Sequence, residues 1–127
     1  LYKKLENKQQ CIKNSIMDSH LVVGVGNIYA SESLYYAGIR PYRISKKVSK
    51  KEAFALAESI KNVIKEAILK GGSSMNDFFD VNGENGYFQN EHKVYGRENQ
   101  PCFQCQLPIT QLRLGQRSSF FCKKCQR

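Results

Sequence analysis

The chain has 127 residues, with 20 Lys+Arg against 11 Asp+Glu, a net charge of +9 and a pI near 9.4. Hydrophobic residues make up 41% and charged residues 24%, which excludes compositional disorder and a membrane-embedded chain, since no run approaches the ~18 apolar residues of a spanning helix. The length holds one ordinary domain or two small ones, and the excess of positive charge points to a polyanionic partner, with nucleic acid the first class to consider.

The chain opens Leu1-Tyr2-Lys3-Lys4, with neither an initiator Met nor the apolar core of a signal peptide, and reads as a piece of a longer protein. Residues 1–20 form a lead-in of net charge +2, and Ile12 to Met17 read as a short helix before Asp18. Next comes Val22-Val23-Gly24-Val25-Gly26-Asn27, an apolar, glycine-punctuated segment opening into a helix from Asn27 to Tyr36. Gly38 ends that helix and Pro41 follows. Glycines at a helix start let backbone approach a phosphate, and the free N–H groups and dipole there favour an anion. The same pattern also makes a plain tight turn, and no βαβ context follows that would signal a dinucleotide site.

Residues 40–70 carry nine Lys/Arg against three Glu. The longest helix is expected from about Lys50 to Lys70. Ser49 and Glu52 form a capping box at its start, Gly71-Gly72 stop it, and Phe54, Ala57, Ile60, Ile64, Ala67 and Ile68 make its apolar face. Its Lys61, Lys65 and Lys70 suit either a solvated face or a polyanion contact. Residues 71–101 are turn-rich and slightly acidic, at −3. Their aromatics, Phe78, Phe79, Tyr87, Phe88 and Tyr95, serve either to stack on bases or to build a small core.

Residues 102–127 hold five basic residues and no acidic ones. Here Cys102-x-x-Cys105 and Cys122-x-x-Cys125 stand sixteen residues apart. Two such knuckles presenting four thiolates suit one closed, tetrahedral structural zinc, and the fifth cysteine, Cys11, receives no role. A closed sphere leaves no position for water, which argues against a catalytic zinc enzyme. A segment this short has too little core to fold alone, so bound metal would supply folding energy. Between the knuckles, Pro108 to Leu114 read as a strand, Gly115 as a turn, and Arg117 to Phe121 as a returning strand. An Arg near the tip of a rigid hairpin suits a phosphate contact, although a solubilising role is equally common.

In order, Val23-Gly24-Val25-Gly26-Asn27-Ile28-Tyr29-Ala30-Ser31-Glu32, Ala37-Gly38-Ile39-Arg40-Pro41, Gly71-Gly72-Ser73-Ser74, Gly86-Tyr87-Phe88, Val94-Tyr95-Gly96-Arg97 and the two knuckles with Gln116-Arg117-Ser118-Ser119-Phe120-Phe121 resemble the C-terminal half of bacterial formamidopyrimidine-DNA glycosylases. The resemblance runs from about Ile12 to Arg127. It implies a mainly α fold with a small β part: a helix–two-turn–helix domain at 1–96, with a lesion-recognition loop at about 71–88, then a four-cysteine zinc-finger β-hairpin at 97–127. It implies the DNA-binding half of a base-excision-repair glycosylase and AP lyase that removes oxidised purines, 8-oxoguanine and formamidopyrimidines. Lys13, Asn27 and Arg117 would hold the DNA backbone. The loop Ser73, Ser74, Met75, Asn76, Asp77 and Phe78 would read the flipped base through its amides, and Glu32 would be structural.

In that family the nucleophile is an N-terminal proline beside a glutamate. The present chain has no such start, so alone it is expected to be inactive and to pair with a missing N-terminal lobe. The expected partners are duplex DNA holding an oxidised purine and one structural Zn2+, in a monomeric, cytoplasmic, nucleoid-associated bacterial protein with no membrane contact. Gln106 stands where the family usually has Gly after the second cysteine, which implies a strained knuckle. Two other readings stay open, a stand-alone zinc-dependent nucleic-acid-binding module and the same half of an endonuclease VIII-like glycosylase.

Overall fold

The computed structural model describes residues 1–22, 24–69 and 92–127. Its helices are α1 (Tyr2–Leu5), α2 (Ile12–Met17), α3 (Asn27–Ala37) and α4 (Lys50–Leu69), with a short 3-10 turn at Ser45–Lys47 before α4. Two strands follow, β1 (Thr110–Leu114) and β2 (Arg117–Phe121), paired antiparallel from Thr110 opposite Phe121 to Leu114 opposite Arg117. This is the mainly helical chain with a small hairpin that the sequence implies. The lead-in also contains the one-turn helix α1, which sends Leu5 into the core.

Helix boundaries follow local chemistry. α3 ends because Gly38 adopts φ 77° and returns its N–H to the last turn, a left-handed cap that glycine takes without strain. α4 begins at a complete capping box. Glu52 N–H donates to Ser49 Oγ at 3.1 Å, and Ser49 N–H donates to a Glu52 carboxylate oxygen at 3.0 Å. Arg43 adds two hydrogen bonds to the same carboxylate, at 2.9 and 3.1 Å. That fork holds the segment before α4 against its first turn and lowers the Glu52 carboxyl to about 2.

The helical core is built from Leu5, Ile12, Ile16, Val25, Ala30, Leu34, Ile39, Val48, Ala53, Leu56 and Ile60. The apolar face of α4 is therefore rotated from the expected one. Ala53, Leu56 and Ile60 point inward, while Phe54 and Ile68 are each 70% exposed. Ile60 and Ile64 belong to both patterns and do pack on the core.

A second cluster joins Tyr35, Val94, Cys102, Ile109, Phe120 and Cys122, with Tyr95 packed edge-on to Phe120. α3 spans both clusters: Leu34 faces the helical one and Tyr35 the hairpin. The hairpin turn places Gly115 at φ 66° as the first of two loop residues, a position that favours glycine.

Candidate metal centre and nucleic-acid interface

The four expected cysteines converge. The sulfur atoms of Cys102, Cys105, Cys122 and Cys125 all lie within 4.8 Å of one another. Cys102 and Cys125 are 3.8 Å apart, and Cys105 and Cys122 are 3.4 Å apart. A tetrahedral ion with Zn–S bonds of ~2.3 Å needs sulfurs about 3.8 Å apart, so the donor set fits one zinc and fills its coordination sphere. Such an ion would be structural, tying together the two knuckles that flank the second core cluster.

The knuckles also carry backbone donors to sulfur. Gln104 N–H lies 3.4 Å from Cys102 Sγ, and Cys125 N–H lies 3.3 Å from Cys122 Sγ. The Tyr35 hydroxyl, on α3, lies 3.3 Å from Cys102 Sγ. Burial pushes the Cys102 thiol up, but the hydrogen bonds from Tyr35 and from backbone N–H groups outweigh it and bring the thiol down to about 6. Burial raises the Cys122 and Cys125 thiols, and a bound divalent cation would reverse that. Gln106 sits at φ 70°, a left-handed conformation that strains a residue with a side chain. The strain expected from the missing glycine is present.

Lys13 on α2 and Asn27 on α3 meet at β2, at the carbonyl of Ser118, the residue that follows Arg117. The Ser118 carbonyl on β2 accepts a hydrogen bond from Lys13 Nζ at 3.2 Å and from Asn27 Nδ2 at 3.1 Å. Arg117, exposed beside Ser118, is close enough for its charge to be felt at Lys13. Lys13 itself is only 1% exposed. Its pKa falls to about 8, chiefly through burial; Cys11 opposes the shift and Arg117 adds to it. Asn27 is the first residue of α3, after a Gly26 N-cap with no side-chain hydrogen bond, and its Oδ1 is buried without a partner among the described residues. One carbonyl takes one donor from each side chain, and a lysine, an asparagine and an arginine have further donors to offer. With the helix N-terminus beside them, they form a cradle suited to an anion.

Three more contacts lock the hairpin to α3. Buried Glu32 accepts the N–H groups of Lys93 at 2.7 Å and of Val94 and Tyr95 at 2.9 Å. Gln126 is fully buried, accepting Cys122 N–H and donating to the Ile39 carbonyl, both at 2.8 Å. Arg127 N–H donates to the Gly38 carbonyl at 2.8 Å. Glu32 thus has the structural place expected of it. Sequence reasoning missed Tyr35, Gln126 and the Ser118 carbonyl. Gln126 directly follows a zinc-type cysteine, which is a weak signal, and a backbone carbonyl has none.

The expected loop residues Ser73, Ser74, Met75, Asn76, Asp77 and Phe78 lie outside the described residues, as do Lys70, Phe79, Tyr87 and Phe88. Lys61 and Lys65 are exposed on α4, and Tyr95 is part of the hairpin core. Cys11 is half-buried and bridges to Ile44. Among the described residues no helix is long and apolar enough to cross a membrane.

Fold and site together define a helical module in which Lys13 and the first residue of α3 meet β2 beside Arg117, joined to a four-cysteine hairpin. The family model described as the formamidopyrimidine-DNA glycosylase H2TH domain matches residues 1–78, and the chain belongs to that family. It is 51% identical over 127 residues to the formamidopyrimidine-DNA glycosylase of Syntrophotalea carbinolica, covering 100% of this chain and 47% of that protein. It is 49% identical to the Neisseria meningitidis enzyme of the same name, covering 100% of this chain and 46% of that protein. The chain spans about half the length of the curated relatives it matches. Among solved structures, the MutM (Fpg) protein of Thermus thermophilus matches with a TM-score of 0.87 at 35% identity, covering 98% of this chain and 48% of that one. Lactococcus lactis Fpg in complex with abasic-site DNA matches with a TM-score of 0.88 at 32% identity, covering 99% and 46%.

Proposed function

We propose that this chain is the DNA-gripping half of a base-excision-repair glycosylase and AP lyase acting on oxidised purines. The observation that carries the reading is the convergence of Lys13 and Asn27 on the Ser118 carbonyl, beside Arg117. Three side chains of that kind at a helix N-terminus suit adjacent phosphates of a bent DNA backbone. Similar proteins support it, since the chain resembles MutM in complex with DNA containing carbocyclic 8-oxo-G at a TM-score of 0.86 and 32% identity.

In this reading residues 1–96 form the helix–two-turn–helix unit and 97–127 the zinc unit that carries Arg117 to the backbone. Amides of the segment from Ser73 to Phe78 contact the extruded base. A second lobe supplies the proline nucleophile and completes a monomeric enzyme in the bacterial cytoplasm, acting at the nucleoid. Cys102, Cys105, Cys122 and Cys125 hold one zinc, which keeps the hairpin, and so the cradle, in place.

The test is a titration of zinc-loaded chain with a short duplex carrying an abasic-site analogue and with its undamaged counterpart. The expected result is binding that weakens steeply with salt and prefers the damaged duplex, with no covalent adduct trapped by borohydride. No binding at low salt contradicts the reading.

A further inference from the structure

Lys13 is buried, with no carboxylate paired to it among the described residues. The ion pairs among the described residues join Arg43 to Glu52 and Lys61 to Glu58, and neither involves Lys13. Among the described residues, the groups that act on its amine are neutral or positive in their ordinary form. α3 presents the Asn27 carboxamide, which shares the Ser118 carbonyl. β2 presents Arg117, and the start of α2 presents the Cys11 thiol. Burial withdraws much of the solvation that would hold the proton on an ammonium, and an anion beside it would restore that hold.

We propose that a DNA phosphate is the missing counter-ion of Lys13, so that on the alkaline side of neutrality DNA capture takes up a proton at this one amine. The inference rests on the DNA-binding reading above and adds a pH dependence to it. The sign follows from the two states. In the free chain the amine loses its proton as pH rises through about 8. A phosphate within hydrogen-bond reach favours the charged form and restores the higher pKa in the complex. Below the lower value both states are charged and pH has no effect. Above it binding must import a proton, and affinity falls by up to tenfold per pH unit.

The experiment measures affinity for a short duplex carrying one abasic-site analogue, at fixed salt, from about pH 7 to about pH 9. Wild-type chain should bind about tenfold more weakly at the upper end. Lys13→Arg keeps its charge at every pH in the range and should lose that dependence. Titrations of DNA bases and of zinc-bound thiols are common to both proteins, so the difference between them is the readout. Calorimetry in two buffers of different ionisation heat, at about pH 9, should show uptake of about one proton by wild type and about none by Lys13→Arg.

If Lys13→Arg does not fold, as judged by zinc content and circular dichroism, Lys13→Met replaces it. The wild-type proton count can overturn the inference by itself. Wild-type binding of equal strength across the range, without proton uptake, overturns the inference and leaves the DNA-binding reading standing. Proton uptake that persists in the variant overturns it as well. Absence of binding even near neutrality overturns the DNA-binding reading itself.

Discussion

Replacing Glu32 by glutamine tests how the zinc hairpin is fastened to α3. The wild-type carboxylate is 5% exposed. One oxygen accepts Lys93 N–H and the other accepts both Val94 and Tyr95 N–H. Glutamine has the same reach but a single acceptor oxygen. With that oxygen turned toward Val94 and Tyr95, its NH2 group opposes the Lys93 N–H; turned the other way, it opposes two donors. The better orientation keeps two bonds, removes the charge assistance from both and leaves one donor unmatched. Bonds to a charged group contribute about 1.5–3 kcal/mol against about 1 kcal/mol for neutral pairs, and an unmatched buried donor costs about 1–3 kcal/mol. Glu32→Gln should therefore destabilise the zinc-loaded chain by about 3–5 kcal/mol, and Glu32→Ala by more, because it strands all three donors beside a cavity. For a chain of this size the glutamine variant should lower Tm by roughly 10–20 °C. Denaturant unfolding and calorimetry on zinc-saturated protein measure both quantities. A Glu32→Gln variant within about 0.5 kcal/mol of wild type would refute the reasoning, since a surface substitution does as little.

Tyr35→Phe removes the hydroxyl 3.3 Å from Cys102 Sγ and little else. Zinc affinity should fall about tenfold in competition with a chromophoric chelator, and an unchanged affinity would deny Tyr35 any part in holding the metal. Gln106→Gly relieves the φ of 70° and should raise stability by about 0.5–1 kcal/mol in denaturant unfolding, less than the full strain because glycine loosens the unfolded chain. A loss of stability there would mean that the glutamine side chain compensates for its conformation.

Much of the scaffold was legible because the informative residues are neighbours in sequence. Gly38 and Pro41 mark the end of α3, Ser49 and Glu52 bond each other across one turn, and each C-x-x-C pair folds on itself. The face of α4 was misread for a physical reason. Large Phe54 and Ile68 dominate a pattern read by hydrophobicity, yet the stripe that reaches the core runs through small Ala53 with Leu56 and Ile60, and Phe54 stays outside. The site was legible only by residue type. Lys13, Asn27 and Arg117 are named by resemblance, but their meeting point is the backbone carbonyl of Ser118, 105 and 91 residues from the first two. The burial of Lys13 likewise depends on packing between distant segments. No spacing rule reports the three N–H groups that bind Glu32 from more than 60 residues away.

The central claim is that the zinc hairpin, α2 and the start of α3 form one phosphate grip. The most direct measurement compares the salt dependence of duplex binding for wild type and Arg117→Ala, both carrying one zinc per chain. Arg117 is exposed at the start of β2, so its removal should leave the fold intact. The slope of log K against log salt should shrink by about 0.9, because one phosphate is no longer neutralised, and binding should be weaker at every salt concentration. Identical slopes and affinities in the two proteins would contradict the account.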